Sequence, residues 1–287
     1  MCTFKKRANW TKNYFLQIQR NIGLFSIEDQ EKVRNTKIAV LGLGGIGGST
    51  AEQLTRTGCE QLVLCDNEKF EISNLNRQLC NIEDLGKYKV DVTEENLKKI
   101  NPQCDIRSFY YIDKENISDI LEDVKIIALC LDDPITSILI ARESLKREIP
   151  IIESYGIPYI WAWWFNSESI DYETCYNLSS HKLSISELKK SLDFKNKFKE
   201  EMLSFLLKFP NIEETYSKES HILEDMKKGI HPLISISPIV RMCASFITFE
   251  IIFSGILRIK KMILAPNIKG YDYLRMKLIE FSLKEKQ

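Results

Sequence analysis

A glycine-rich segment between an apolar strand and a helix constrains this chain more than any other feature. Residues 37–41 read K-I-A-V-L, a β-rich run. Four loop glycines follow it: Gly42, Gly44, Gly45 and Gly47. Residues 48–57 have helical character, and residues 61–65 form a second apolar run that ends on Asp66. Strand, turn, helix and strand within about thirty residues make a βαβ unit, which predicts parallel strands with the glycines at the turn.

The alternation of strands and helices continues along the first half of the chain. The pattern predicts a helix at 88–100, a strand at 105–111, a strand at 125–131, a helix at 136–148 and a strand at 149–153. The 125–131 run, K-I-I-A-L-C-L, is almost continuously apolar, as expected in the middle of a parallel sheet. We therefore predict an α/β fold: a doubly wound, Rossmann-like, mainly parallel sheet with helices on both faces.

The pattern changes after residue 155. The aromatic run at 161–165 has strand character. We interpret it as part of the core, with binding of a peptide as the alternative. Residues 184–209 are predicted to be helical, because Ser184 and Glu187 match a capping box. Apolar residues also recur there near a period of 3.6: Leu188, Leu192, Phe198, Met202, Phe205 and Phe209. A short closing strand is predicted at 270–276.

An apolar stretch at 236–259 is long enough to raise the question of a membrane span. Arg241 and Glu250 lie inside it, and charged groups are costly in a bilayer. We interpret the stretch as a helix buried in the protein and expect no membrane contact.

Charge and cysteine content limit the expected partners and the expected cellular compartment. Forty basic and forty acidic side chains cancel, so the net charge indicates neither nucleic acid nor an anionic membrane as a partner. None of the eight cysteines belongs to a Cys-x-x-Cys pair, which argues against a disulfide framework. The first residues lack the apolar core of a secretory signal. We therefore expect a cytoplasmic protein.

The glycine loop alone leaves the ligand open. Its glycines allow close approach to phosphates, and the helix that follows offers free N–H groups to an anion. Asp66, 24 residues after Gly42, stands where a carboxylate accepts hydrogen bonds from a ribose. This pattern suits an NAD-dependent oxidoreductase as well as an ATP enzyme, and packing glycines without a ligand are a third interpretation.

The segment that begins at Asp66 distinguishes the two enzyme classes. It reads D-N-E-K-F-E-I-S-N-L-N-R-Q and resembles the signature of the ThiF/MoeB/HesA family, relatives of ubiquitin-activating enzymes. An ATP enzyme needs a cation beside the triphosphate, and Arg77 would supply it. Further similarities follow in the family's order: Gly86 to Lys89, Asn101-Pro102, the strand ending at Asp132, and the upstream Arg20-Asn21.

The resemblance implies an adenylyltransferase that uses ATP and Mg²⁺ to activate a carboxylate, such as the C-terminus of a peptide or a small carrier protein. Asp132 would hold Mg²⁺, while Arg77, Lys89 and the partner chain's copy of Arg20 would neutralise the phosphates of ATP. The remaining nucleotide-binding residues would be the loop glycines with Asp66 at the ribose, and Asn74 and Gln78 lining the site. A homodimer is implied, because Arg20 would complete the site of the other chain.

The implied organisation is one continuous domain. An N-terminal helical segment at 1–35 precedes an ATP-binding half at 36–155. A half for the substrate and the dimer contact follows at 156–287, with a helical insertion at about 181–228.

The sequence departs from the family at its zinc site. Many members hold zinc with two Cys-x-x-Cys pairs, and Cys175 alone matches a ligand, so we predict a zinc-free member. Zinc-free relatives include peptide-maturation enzymes and tRNA threonylcarbamoyladenosine dehydratases, and the latter remain an alternative. Cys175 is interpreted as structural, with thioester formation as the alternative. An inactive subunit of a heterodimer is a further alternative, against which the intact glycines, Arg77, Lys89 and Asp132 argue.

Overall fold

The computed structural model describes residues 10–191, 194–206, 209–215, 218–227, 231 and 234–283. The prediction at Leu192 and that for the Met202 side chain lie outside the described parts of the chain, as do portions of the insertion predicted at 181–228.

An eight-stranded sheet forms the centre of the molecule, in the order β3-β2-β1-β4-β5-β6-β7-β8. Its strands are β1 Ile38–Leu41, β2 Gln61–Cys65, β3 Asp105–Phe109, β4 Ile126–Leu129, β5 Ile151–Tyr155, β6 Ile160–Phe165, β7 Asn267–Asp272 and β8 Lys277–Ser282. The first five strands pair in parallel and the last three join antiparallel. The predicted mainly parallel, doubly wound sheet is confirmed. Its strand order reverses between β1 and β4, which is where such sheets bind ligands.

Helices cover the sheet on both faces. They are α1 Lys12–Ile18, α2 Ile27–Asn35, α3 Gly45–Arg56, α4 Lys89–Ile100, α5 Ile117–Ile120, α6 Pro134–Lys146, α7 Tyr172–Cys175, α8 Ile185–Lys190, α9 Phe194–Leu206, α10 Ile212–Thr215, α11 Ser220–Lys227 and α12 Ser237–Glu250. Short 3₁₀ turns lie at Ile72–Asn74 and Ile82–Asp84, and α12 continues as a π-helix at Ile251–Ile256. The helix predicted at 48–57 begins earlier, at Gly45, so that glycines form its first turn.

Two sequence expectations need correction. The single helix predicted at 184–209 is at least two helices, because Ser191 is extended and ends α8. The capping box of Ser184 and Glu187 is present at the start of α8.

The single closing strand predicted at 270–276 is wrong. The chain forms a hairpin there, because the Asp272 carboxylate accepts the backbone N–H groups of Leu274 and Arg275 at 3.1 and 3.0 Å. Met276 has a φ of +53° and completes the turn into β8.

The aromatic run of β6 lies in the core on both faces of the sheet. Trp161 and Trp163 pack on one face with Tyr176 and Phe205, while Trp164 packs on the other face with Ile247. All three tryptophans are fully buried. Alternate residues of a strand point to opposite faces, so the core interpretation is confirmed and these side chains do not line a peptide cleft.

Helix α12 packs against α3 and against strands β5 and β6. Within the described chain, Ser237–Ile256 is the one stretch whose length and composition would suit a membrane span, and half of it is buried inside the protein. Glu250 is buried there and accepts a hydrogen bond from Trp164 Nε1 at 3.2 Å. The opposite face of the helix exposes Met242 and Phe249.

Candidate functional site

Close packing requires glycine at two positions in the turn between β1 and α3. Gly42 has a φ of +92°, and a Cβ atom there would lie 2.3 Å from the carbonyl oxygen of Cys130. A Cβ at Gly47 would lie 1.8 Å from the carbonyl oxygen of Gly42. No side chain fits either position, so the turn is pressed against the segment that follows β4.

Gly44 has a different environment. It is the N-cap of α3 and has no side chain to cap the helix, so the first N–H groups of α3 remain available. A Cβ there would meet only Gln78 Nε2, at 3.8 Å. Open space, free N–H groups and the positive end of a twelve-residue helix are the conditions for binding an anion.

Asp66 fixes the shape of this turn. Its carboxylate accepts the N–H groups of Leu43 at 2.6 Å and Glu68 at 2.8 Å, at the end of β2. Burial raises the pKa of Asp66, and the two backbone hydrogen bonds oppose that change. Each carboxylate oxygen accepts one bond and keeps another lone pair, which the predicted contact with a ribose would need.

The segment from Glu71 to Gln78 lies directly over the glycine turn. Asn74 is buried, and its Oδ1 accepts the N–H of Glu71 at 3.1 Å. Gln78 is also buried, and its Oε1 has no hydrogen-bond donor among the described residues. Arg77 Cγ lies 3.6 Å from the point where a Cβ of Gly45 would stand. The predicted residues Arg77 and Gln78 therefore lie next to the loop, whereas the hydrogen bonds of Asn74 hold the turn at 71–74.

Lys89 is held inside the protein at the start of α4. It is 3% exposed, and its Nζ lies 2.5 Å from Glu68 Oε2. A lysine on a helix is ordinarily expected at the surface in contact with solvent. For Lys89 that expectation is wrong. The strongly hydrated ammonium is kept in place by the chain itself.

Asp132 stands three residues beyond the end of β4, in the turn that leads into α6. Its side chain is exposed to solvent, yet nearby protein atoms still limit the hydration of the carboxylate. This desolvation raises the pKa of Asp132, and the charge of Glu68 adds to it, whereas Lys89 and Arg77 lower it. These influences show that Asp132, Glu68, Lys89 and Arg77 share one electrostatic environment.

Arg20 does not join this group within its own chain. It lies exposed in the turn after α1, and its neighbour Asn21 donates to the carbonyl oxygen of Thr57 at 3.0 Å. Thr57 caps the far end of α3. Twelve helical residues separate that end from Gly44, which is about 18 Å at 1.5 Å per residue.

Two features of the site were not assigned from the sequence. Glu68 is the partner of Lys89, although it lies within the segment that carries the family resemblance. Glu153 is a buried carboxyl group in β5, surrounded by tyrosines. A charged residue inside the apolar run I-I-E-S-Y is the signal that would have drawn attention to it.

The described residues offer few ligands for a metal ion. In the described ranges, no three His, Cys, Asp or Glu side chains converge as a metal cluster. The absence of zinc stays a prediction. Cys175 is partly exposed at the end of α7.

Comparison with known proteins places this geometry in a family context. A model described as the ThiF family matches residues 17–287. The tRNA threonylcarbamoyladenosine dehydratase of Bacillus subtilis (strain 168) is 36% identical over 145 residues, which make up 49% of this chain and 56% of that protein. The chain therefore spans only about half the length of this relative.

Two solved structures share the fold over most of the chain. PaaA has a TM-score of 0.68 at 20% identity, covering 97% of this chain and 86% of PaaA. The structure of E. coli MccB with ATP has a TM-score of 0.61 at 19% identity, covering 89% of this chain and 66% of MccB. At such identities the likeness concerns the fold alone.

Proposed function

The chain belongs to the ThiF family, and from this premise we propose that it is an ATP-dependent adenylyltransferase that activates a carboxylate. The substrate class that we propose is the C-terminus of a peptide or of a small carrier protein. The observation that carries the proposal is that Arg77 lies against Gly45 in the first turn of α3, while the charges of Arg77 and the buried Lys89 act on Asp132. Two cations and one acidic oxygen ligand beside an anion-binding helix end suit a triphosphate.

The residues present fit ATP and Mg²⁺. The open space at Gly44 leaves room beside the first N–H groups of α3, and the orphaned Gln78 Oε1 lacks only a donor, such as a nucleotide amino or hydroxyl group. Mg²⁺ is usually held by one or two carboxylates together with phosphate oxygens, so a single accessible carboxylate at Asp132 suffices. When bound there, Mg²⁺ would supply positive charge to the phosphate oxygens.

The proposed reaction needs positioning and charge more than acid–base chemistry. A substrate carboxylate attacks the α-phosphorus of ATP, pyrophosphate leaves and an acyl adenylate forms. The N–H groups of α3 would orient the phosphates, and Arg77 and Lys89 would neutralise the charge that grows on them. Asp66 would hold the ribose, while Asn74 and Gln78 would line the nucleotide. The structure of MccB with ATP supports the choice of nucleotide by analogy of fold.

The oxidoreductase alternative fits fewer of these residues. A nicotinamide dinucleotide would use the glycine turn and Asp66, but it has no chemical need for a buried lysine and an acidic residue at the same edge.

A calorimetric titration with ATP–Mg²⁺, NAD⁺ and NADH separates the two classes. We expect binding of ATP only, followed by pyrophosphate exchange into ATP when a pool of twenty N-acetylated hexapeptides with different last residues is added. Binding of NADH without ATP would contradict the proposal.

A second candidate activity comes from the relative that is 36% identical, a tRNA threonylcarbamoyladenosine dehydratase. Incubation with ATP and tRNA that carries threonylcarbamoyladenosine, followed by mass spectrometry of the nucleosides, would detect a loss of water. This loss in the absence of any exchange with the peptide pool would favour the tRNA substrate.

A further inference from the structure

Glu153 heads a continuous hydrogen-bonded chain that the proposed adenylation does not use. It is 5% exposed in the middle of the sheet. Tyr176 donates to Glu153 Oε2 at 2.7 Å, and the hydroxyl groups of Tyr176 and Tyr155 are 3.0 Å apart. Because the Tyr176 proton points to the carboxylate, Tyr155 donates to the Tyr176 oxygen. Three groups are thus ordered from the edge of the sheet to a buried acid.

The outer end of this chain lies at the proposed site. Tyr155 is the last residue of β5 and is partly exposed at the carboxyl edge of the sheet. Asp132 follows the neighbouring strand β4 and is near enough to raise the pKa of Tyr155, after burial and Glu153. Tyr155 therefore stands between the candidate site and Glu153.

Glu153 is surrounded by neutral hydrogen-bond donors and by other acidic groups. Tyr172 on α7 donates to Oε1 at 3.2 Å, and Trp163 on β6 lies 3.5 Å from Oε2. The β4 side contributes Cys130, whose pKa is raised by burial first and then by Glu153. Burial raises the pKa of Glu153 to about 7, opposed by the hydrogen bonds from Tyr176, Trp163 and Tyr172.

We propose that Tyr155, Tyr176 and Glu153 form a proton relay that takes up the proton released when an amine or a thiol attacks the activated carboxyl group. This inference rests on the proposed function and concerns the step after adenylation. Adenylation by a carboxylate releases no proton, whereas a nucleophile that carries an N–H or S–H bond must lose one.

The step balances without a further reactant. The lone pair of the nucleophile forms the bond to the acyl carbon, the bond from that carbon to the phosphate oxygen breaks, and AMP leaves with those electrons. The proton of the nucleophile passes to the Tyr155 oxygen, the Tyr155 proton to Tyr176, and the Tyr176 proton to the Glu153 carboxylate. Tyr155 is the catalytic residue, since it alone meets the nucleophile, and the other two are positioning residues. Burial holds the pKa of both tyrosines well above 10, so they pass the proton without carrying a charge.

The test compares two half-reactions in the full-length protein between pH 6 and 9. Pyrophosphate exchange with the pool of twenty N-acetylated hexapeptides reports adenylation, and AMP release with glycinamide as the amine reports both steps. The variants are Glu153→Gln and Tyr176→Phe. Tyr172→Phe is the control, because it removes a donor to Glu153 that lies off the path to Tyr155.

We expect both relay variants to keep exchange within about twofold of the wild type while AMP release falls by about 100-fold, the lower end for general-base catalysis. Wild-type AMP release should rise with pH through a midpoint near 7, and Glu153→Gln should lose that midpoint. An equal fall in exchange and AMP release would mean that Glu153 is only structural. An absence of exchange in the wild type would instead refute carboxylate activation.

Protonation of Glu153 is measured without any substrate. ¹³C NMR of labelled glutamate carboxyl groups, assigned with Glu153→Gln, should show one carboxyl group titrating near pH 7. Tyr176→Phe should raise that midpoint, because it removes a donor that stabilises the carboxylate. A Glu153 midpoint close to that of an ordinary glutamate would overturn the relay, whatever the exchange assay shows.

Discussion

The Nζ atom of Lys89 lies 2.5 Å from Glu68 Oε2, and this ion pair joins a lysine side chain with 4% exposure to a glutamate side chain with 68% exposure. The amine is fixed by burial, while its acidic partner is free to move into solvent. A phosphate group could therefore replace Glu68 as the partner of Lys89 without any movement of the lysine.

Replacement of this amine should therefore weaken nucleotide binding. We expect Lys89→Met to weaken ATP–Mg²⁺ binding by about 10- to 100-fold, since a charged hydrogen bond contributes about 1.5–3 kcal/mol. Calorimetric titration measures the affinity. Lys87→Met is the matched control, because Lys87 is exposed and pairs with Asp84 at 3.3 Å. Unchanged affinity in Lys89→Met would place the phosphates elsewhere.

The glycines of the loop should separate into two classes. Gly42→Ala forces a side chain into a left-handed conformation and against the Cys130 carbonyl, so it should reduce the free energy of unfolding by more than about 1 kcal/mol. Gly44→Ala meets no close neighbour, and at an N-cap it should cost about 0.5 kcal/mol, less than Gly42→Ala. It should nevertheless weaken ATP binding by about tenfold, because its methyl group would occupy the space above the helix end. Denaturant unfolding and ATP titration of both variants test this, and equal instability would contradict it.

Adjacent aspartates offer a second matched pair. Asp132→Ala should abolish magnesium-dependent adenylation and leave stability unchanged, since the carboxylate lies in the accessible turn after β4. Asp133 caps α6, accepting the Thr136 N–H at 2.9 Å and its hydroxyl at 2.7 Å. Asp133→Ala should therefore lower the stability by about 1 kcal/mol and keep adenylation. Pyrophosphate exchange together with thermal unfolding distinguishes the two, and wild-type exchange in Asp132→Ala would refute the metal assignment.

The purified protein should contain no stoichiometric zinc. One cysteine at position 175 cannot supply a tetrahedral site, and the sequence has no Cys-x-x-Cys pair. Elemental analysis after dialysis against metal-free buffer measures this directly. About one zinc per chain would mean that ligands distant in sequence, such as Cys175 with His181, come together.

The residues that sequence could predict are those whose role depends on local backbone geometry. Gly42, Gly44 and Asp66 follow from a strand, a turn and a helix, and the structure brings them together as that order requires. The Lys89–Glu68 pair was not predictable in the same way, because a pattern along the chain does not tell which side chains face inward. Glu153 needed the tertiary fold for the same reason, since Tyr176 lies 23 residues further on.

The missed hairpin has a related cause. Residues 271–276, Y-D-Y-L-R-M, contain no glycine, proline or asparagine to mark a turn. The turn depends instead on two hydrogen bonds to the Asp272 carboxylate. Patterns of residue type describe such a segment as one continuous strand.

The exposed face of α12 suggests how two chains would associate. Phe249 is 50% exposed and Met242 is 42% exposed, on a helix whose other face is buried. If this face forms the contact of a homodimer, Phe249→Asp should yield monomers in light scattering, whereas Ser245→Asp, on the same exposed side, should weaken the dimer less. A monomeric wild type with full activity would contradict the predicted dimer.

Arg20 provides the sharpest test of that assembly. Its neighbour Asn21 contacts Thr57 at the far end of α3, a helix about 18 Å long. We therefore expect the site to be completed by the arginine of another chain. An arginine delivered across an interface adds positive charge where phosphates need it. We expect Arg20→Ala and Asp132→Ala each to be inactive alone. After subunit exchange between them, one site of the mixed dimer holds both intact residues, so partial pyrophosphate exchange should return, up to about one quarter of the wild-type rate for statistical mixing with two independent sites. If Arg20 acted within its own chain, every site would lack one of the two groups and the mixture would stay inactive.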